Sequence, residues 1–81
     1  MEHPYKNRCL RAAQRYDLTP REGEILSYLA RGRNAKYIQE ALTISLSTAQ
    51  THIRNIYRKV GVHSRQELLS LIEATKLYGE D

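Results

Sequence analysis

Gln50, Thr51 and Arg54 bring an amide, a methyl-bearing hydroxyl and a guanidinium within two turns of one helix. These groups suit the edges of base pairs: Arg can donate a bidentate pair to guanine, Gln can pair with adenine, and the Thr methyl can lie against that of thymine. Around them, Ser47, Thr48, Arg58 and Lys59 supply hydroxyls and cations of the kind that hold phosphate oxygens, and the free amides of a helix N-terminus favour the same ligand. At about 100° per residue, Ala49, Ile53, Ile56 and Val60 fall on one stripe, while Ser47, Thr51, Arg54 and Arg58 point the opposite way with Gln50 beside them. No Asp or Glu occurs between Glu40 and Glu67. One face of this segment can pack, and the other is free to meet a polyanion.

Other chemistries find little support. His52 and His63 have no Cys or carboxylate at ligand spacing between them, so no metal site is expected. Hydroxyl residues cluster where helix ends need caps rather than beside a His and an Asp, and no enzyme is expected. Cys9 is the only cysteine, which excludes an intrachain disulfide and a thiolate cluster. No cofactor is implied.

The elements that must position the groove-facing residues are helices. The chain has 81 residues, enough for one small core, and with no Trp or Phe that core must come from Leu, Ile, Ala and the six Tyr. The net charge of +4 points to nucleic acid or an anionic surface. No apolar run approaches the roughly 20 residues that cross a bilayer, and the N-terminus lacks a signal peptide's apolar core, so a cytoplasmic location is expected for this segment.

Thr19-Pro20-Arg21-Glu22 forms a capping box with Pro at the first helical position, so a helix should run from about Pro20 to Arg31 and stop at Gly32. Ile25, Leu26 and Leu29 are its inward residues. Asn34 caps a second helix with Ile38 and Leu42 inside, ending at Leu42 or Thr43. Ser45 caps the third, which Gly61 closes, and Ser64-Arg65-Gln66-Glu67 repeats the capping box before the last. That last helix carries two apolar stripes, Leu68, Leu69 and Ile72 on one and Leu71, Ala74 and Tyr78 roughly 130° away, which implies two packing partners. The second stripe is read as a homodimer contact, the alternative being that it folds back onto Tyr5 or Leu10. Residues 1–17 read as a linker from an upstream domain, with some helical character from the spacing of Tyr5, Cys9, Ala12, Ala13 and Tyr16. The expected fold is all-α: a four-helix helix-turn-helix bundle over residues 18–81.

The succession LTPREGEIL, GRNAKYIQEAL, ISLSTAQTHIRNIYRKVGV and SRQELL closely resembles the LuxR-type helix-turn-helix domain of bacterial transcription regulators, over about Leu18 to Leu77. The resemblance implies a recognition helix near Ser47–Val60, double-stranded DNA as partner, and a homodimer on DNA through the last helix. It places the family's base-contacting positions on Gln50, Thr51 and Arg54. It also implies an upstream regulatory domain that could be membrane-tethered, and RNA polymerase as a candidate partner. The competing reading is a helical protein-interaction module. The chain departs from the family pattern at Ala35, Gln39 and Ala49. One account of the last two is that Gln39 methylenes fill volume that Ala49 leaves open. Thr43 occupies a turn position that is often left-handed, so either the turn differs or a β-branched residue is strained there.

Overall fold

A computed structural model describes residues 4–74, with side chains from Arg8 onward; Tyr78 and the side chain of Tyr5 lie outside the described residues. The described chain is all helical: α1 (Pro4–Arg15), α2 (Pro20–Ala30), α3 (Ala35–Leu42), α4 (Leu46–Val60) and α5 (Arg65–Ala74). α2 lies at the centre, touching α1, α4 and α5, while α3 packs on α4. The core draws Ile25, Leu26 and Leu29 from α2, Ile38 from α3, and Ala49 and Ile56 from α4, with Leu68 and Ile72 from α5. Each fully buried Leu or Ile contributes about 1.5–3 kcal/mol from apolar burial.

The segment expected to be a linker with some helical character forms α1, and its Cys9 and Ala12 are buried in the same core. Both are small, which lets α1 lie close to α2. A Cβ built on Gly23 would sit 3.5 Å from the Ala13 Cβ, an ordinary contact distance. α1 ends by turning Asp17 into the left-handed region (φ 57°), with the Leu18 amide returning to the Ala13 carbonyl at 2.9 Å. Asp is among the residues that tolerate this conformation.

The helix boundaries follow the capping chemistry. Thr19 Oγ1 accepts from the Glu22 amide at 3.1 Å, and the Thr19 amide donates to Glu22 Oε1 at 3.0 Å. α2 closes through Gly32 (φ 84°), with the Arg33 amide donating to the Tyr28 carbonyl and the Gly32 amide to that of Leu29. The Asn34 and Ser45 side chains accept from the amides of Tyr37 and Thr48. The second box is altered: Ser64 Oγ accepts from the Glu67 amide, but the Glu67 carboxylate reaches the amide of His63 rather than that of Ser64.

Thr43 is left-handed, at φ 55° and ψ 52°. The turn therefore keeps its conformation and Thr43 bears the strain. Gly61 ends α4 in the same way, at φ 84° and ψ 31°. In both turns one carbonyl receives two amides: Gln39 from Thr43 and Ile44, Tyr57 from Gly61 and Val62.

Candidate nucleic-acid interface

α4 is amphipathic along its whole length. Ala49 and Ile56 are fully buried, Val60 is buried and Ile53 packs against the core, whereas Ser47, Thr48, Gln50, Thr51, Arg54, Arg58 and Lys59 are all exposed. The residues expected to face a groove therefore share one solvent-facing surface. α3 packs on α4, with Ile38 fully buried, Gln39 half-buried and Ala49 fully buried.

The start of α4 carries a small hydroxyl cluster. Ser45 Oγ accepts from the Thr48 amide at 3.0 Å, donates to Thr48 Oγ1 at 2.8 Å, and lies 3.2 Å from Ser47 Oγ. A hydroxyl has one proton. With the Ser45 proton committed to Thr48, Ser47 must donate to Ser45, and the Thr48 proton alone stays free to point outward.

Among the described residues Arg54 and Arg58 form no ion pair. Lys59 differs: its Nζ donates to Glu22 Oε1 at 2.8 Å, and Glu22 is only 4% exposed. The capping-box carboxylate thus joins the first turn of α2 to the last turn of α4. Burial pushes the Glu22 carboxyl up, but the Lys59 hydrogen bond, the Thr19 amide and the Lys59 charge together hold it below the usual glutamate range. By sequence alone Lys59 reads only as a phosphate contact. A capping box signals Glu22 locally, but nothing in the sequence marks a partner 37 positions away.

Arg65 lies in the Ser64-Arg65-Gln66-Glu67 box, where the sequence assigns it no role of its own. Its Nη2 donates to the carbonyls of Leu29 at 3.2 Å and Arg33 at 2.6 Å, tying the start of α5 to both sides of the Gly32 turn. Of the expected dimer residues, Leu71 is half-buried against the core and Ala74 is exposed, while Tyr78 lies outside the described residues. α1 also reaches α5, through Arg8 Nη1 and the Glu73 carbonyl at 2.7 Å. Leu10 stays 54% exposed.

No group of three or more His, Cys, Asp or Glu among the described residues is arranged to hold a metal ion. Burial pushes the Cys9 thiol up to about 11, which keeps it protonated and unreactive at neutral pH.

The family described as bacterial regulatory proteins, luxR family, matches residues 16–72. The chain is 47% identical over 53 residues to the monoamine regulon transcriptional regulator of Klebsiella aerogenes, covering 65% of this chain and 23% of that protein. It is 42% identical over 65 residues to YgeK, an uncharacterized response regulatory protein of Escherichia coli, covering 75% of this chain and 44% of the relative. It is 36% identical over 67 residues to the HTH-type transcriptional regulator MalT of Yersinia pestis, covering 83% of this chain and 7% of the relative. The chain thus spans less than half the length of these relatives. No solved structure matches it.

Proposed function

Because this chain belongs to the luxR family of bacterial regulatory proteins, and so has a DNA-binding regulatory role, we propose that it reads double-stranded DNA in a sequence-specific way with α4 in the major groove. The observation that carries this reading is the exposed, acid-free face of α4 opposite its buried stripe. On that face Gln50, Thr51 and Arg54 meet base edges, and Ser47, Thr48 and Arg58 meet phosphates on either side. Thr48 is the better hydroxyl donor because the Ser47 proton is already used. Lys59 contributes little net attraction, since Glu22 neutralises it.

Two copies bind together through the exposed side of α5 at Ala74, with Leu71 supporting the contact from its half-buried position. Two-fold pairing of this kind sets two recognition helices about one DNA turn apart on a roughly palindromic site. The greater length of the relatives supports a further domain in the whole protein, which we take to be the upstream regulatory domain that the resemblance implies. No described helix is long and apolar enough to cross a membrane, and the proposed site of action is the cytoplasm, where the DNA lies.

Selection of bound duplexes from a random pool tests the reading. Arg54→Ala and Gln50→Ala should each weaken the selected site by roughly 1–3 kcal/mol and relax preference at particular base pairs, with non-specific binding changing less. Base preferences identical to wild type in both variants would move the readout away from Gln50 and Arg54. A chain that binds no duplex at low salt would favour the protein-interaction reading instead.

A further inference from the structure

A second basic surface lies outside α4, at the turn between α2 and α3. Arg31 stacks over the Tyr28 ring, with its Cζ 5.1 Å from the centroid, and Arg33 over Tyr37 at 4.7 Å. The two rings meet at 5.8 Å and a tilt of 58°, so the four side chains form one contiguous cluster. Both arginines are exposed, and Tyr37 is 43% exposed. No Asp or Glu occurs between Glu24 and Glu40, and Glu24 is engaged by Arg21 at 3.4 Å. Among the described residues neither Arg31 nor Arg33 forms an ion pair. The backbone beneath is fixed too: the Arg33 amide donates to the Tyr28 carbonyl and the Arg33 carbonyl accepts from Arg65.

A guanidinium held over a ring face can still present N–H groups to a pair of phosphate oxygens; the Arg31 Nε donates to the Ser27 carbonyl at 3.4 Å, which leaves its terminal nitrogens for that contact. Stacking also restricts the side chain beforehand, which lowers the ordering cost of binding. In a helix-turn-helix the helix before the recognition helix crosses the DNA backbone. Here that helix is α3, and its N-cap, Asn34, directly follows Arg33. From these observations we propose that Arg31 and Arg33, held by Tyr28 and Tyr37, grip the phosphodiester backbone outside the base pairs read by α4. The proposal rests on the DNA-binding reading above and extends the contact beyond the recognition helix. An acidic protein would suit the same cations, but the position of the cluster at the start of α3 favours DNA.

The test is duplex affinity as a function of salt, on the selected site and on an unrelated sequence. Arg31→Ala with Arg33→Ala should make the slope of log K against log [salt] shallower by about 1.8, at about 0.9 per lost phosphate contact, and equally on both sequences. Arg33→Gln alone should remove about half of that change. Tyr37→Phe should match wild type, whereas Tyr37→Ala should weaken binding about two- to five-fold while leaving base preference intact. Circular dichroism confirms that each variant is folded. If the folded double variant, or the folded Arg33→Gln variant, kept the wild-type slope and affinity, the surface would not touch the backbone. If Tyr37→Ala bound like wild type, the cluster would not organise the contact. Absence of any wild-type binding would instead defeat the preceding reading, and this one with it.

Discussion

Replacing Thr43 by Gly should stabilise the protein even though it removes a side chain. Thr43 holds φ 55° and ψ 52°, a conformation that costs an L-residue roughly 1–2 kcal/mol, and β-branching puts Thr among the residues least suited to it. Its side chain is exposed, and among the described residues its hydroxyl makes no hydrogen bond to offset that cost. Glycine relieves the strain but adds roughly 0.5–1 kcal/mol of backbone entropy to the unfolded chain. The net gain should be about 0.5–1 kcal/mol, or a rise in Tm of about 2–8 °C for a domain of this size. Thr43→Asn should also stabilise, since Asn visits the left-handed region more readily. Gly61→Thr is the reciprocal control. Gly61 has the same handedness, and nothing lies within 4 Å of a Cβ built there, so its net loss of about 0.5–1 kcal/mol, strain less the entropy removed from the unfolded chain, would report backbone strain rather than a clash. Thermal and urea unfolding of the three variants give the comparison. A neutral or lower Tm for Thr43→Gly would mean that the Thr43 side chain offsets its own strain, and an unchanged Gly61→Thr would remove the strain argument altogether.

The Glu22–Lys59 pair should make part of the stability pH-dependent. The folded-state Glu22 carboxyl lies below its ordinary value of 4.5, so its contribution is fully present above pH 4.5 and is lost as pH falls through the lowered folded value. Lys59→Met should cost about 1–3 kcal/mol at pH 7, less than for a fully buried pair because the Lys59 side chain is 32% exposed. That deficit should shrink as pH falls below 4.5; urea unfolding across pH showing a constant deficit would disprove the assignment. For the proposed dimer, Ala74→Glu should leave melting nearly unchanged and abolish cooperative binding to a duplex carrying two half-sites, because Ala74 is exposed. Undiminished cooperativity would place the contact elsewhere. Leu71 is less suited to this test, since its half-buried packing mixes stability with association.

The sequence was legible where the physics is local. Thr19 with Glu22, Asn34, Ser45 and the Gly32 and Gly61 stops are signals contained within a few residues, and each marked a helix end that the structure has. The stripe of α4 was equally readable, because one period over fifteen residues sorts its buried and exposed faces. Partners far apart in the chain were not readable. Lys59 meets Glu22, and Arg65 meets Leu29 and Arg33, only because α2 packs against α4 and α5, and residue type alone does not announce such a pairing. The helical character of α1 is legible in the spacing of its apolar residues, but its place in the core is not, because Cys9 and Ala12 are too small to announce burial by residue type.

Arg65 has a mechanical consequence. By holding carbonyls on both sides of the Gly32 turn, one guanidinium fastens the beginning of α5 to the hinge between α2 and α3. A load applied to α5 by a second copy would pass through that joint to the start of α3, on which α4 rests. The paired domains would then behave as two stiff jaws set at a fixed gauge, and the tolerated distance between half-sites would be governed by how far DNA can twist to fit them.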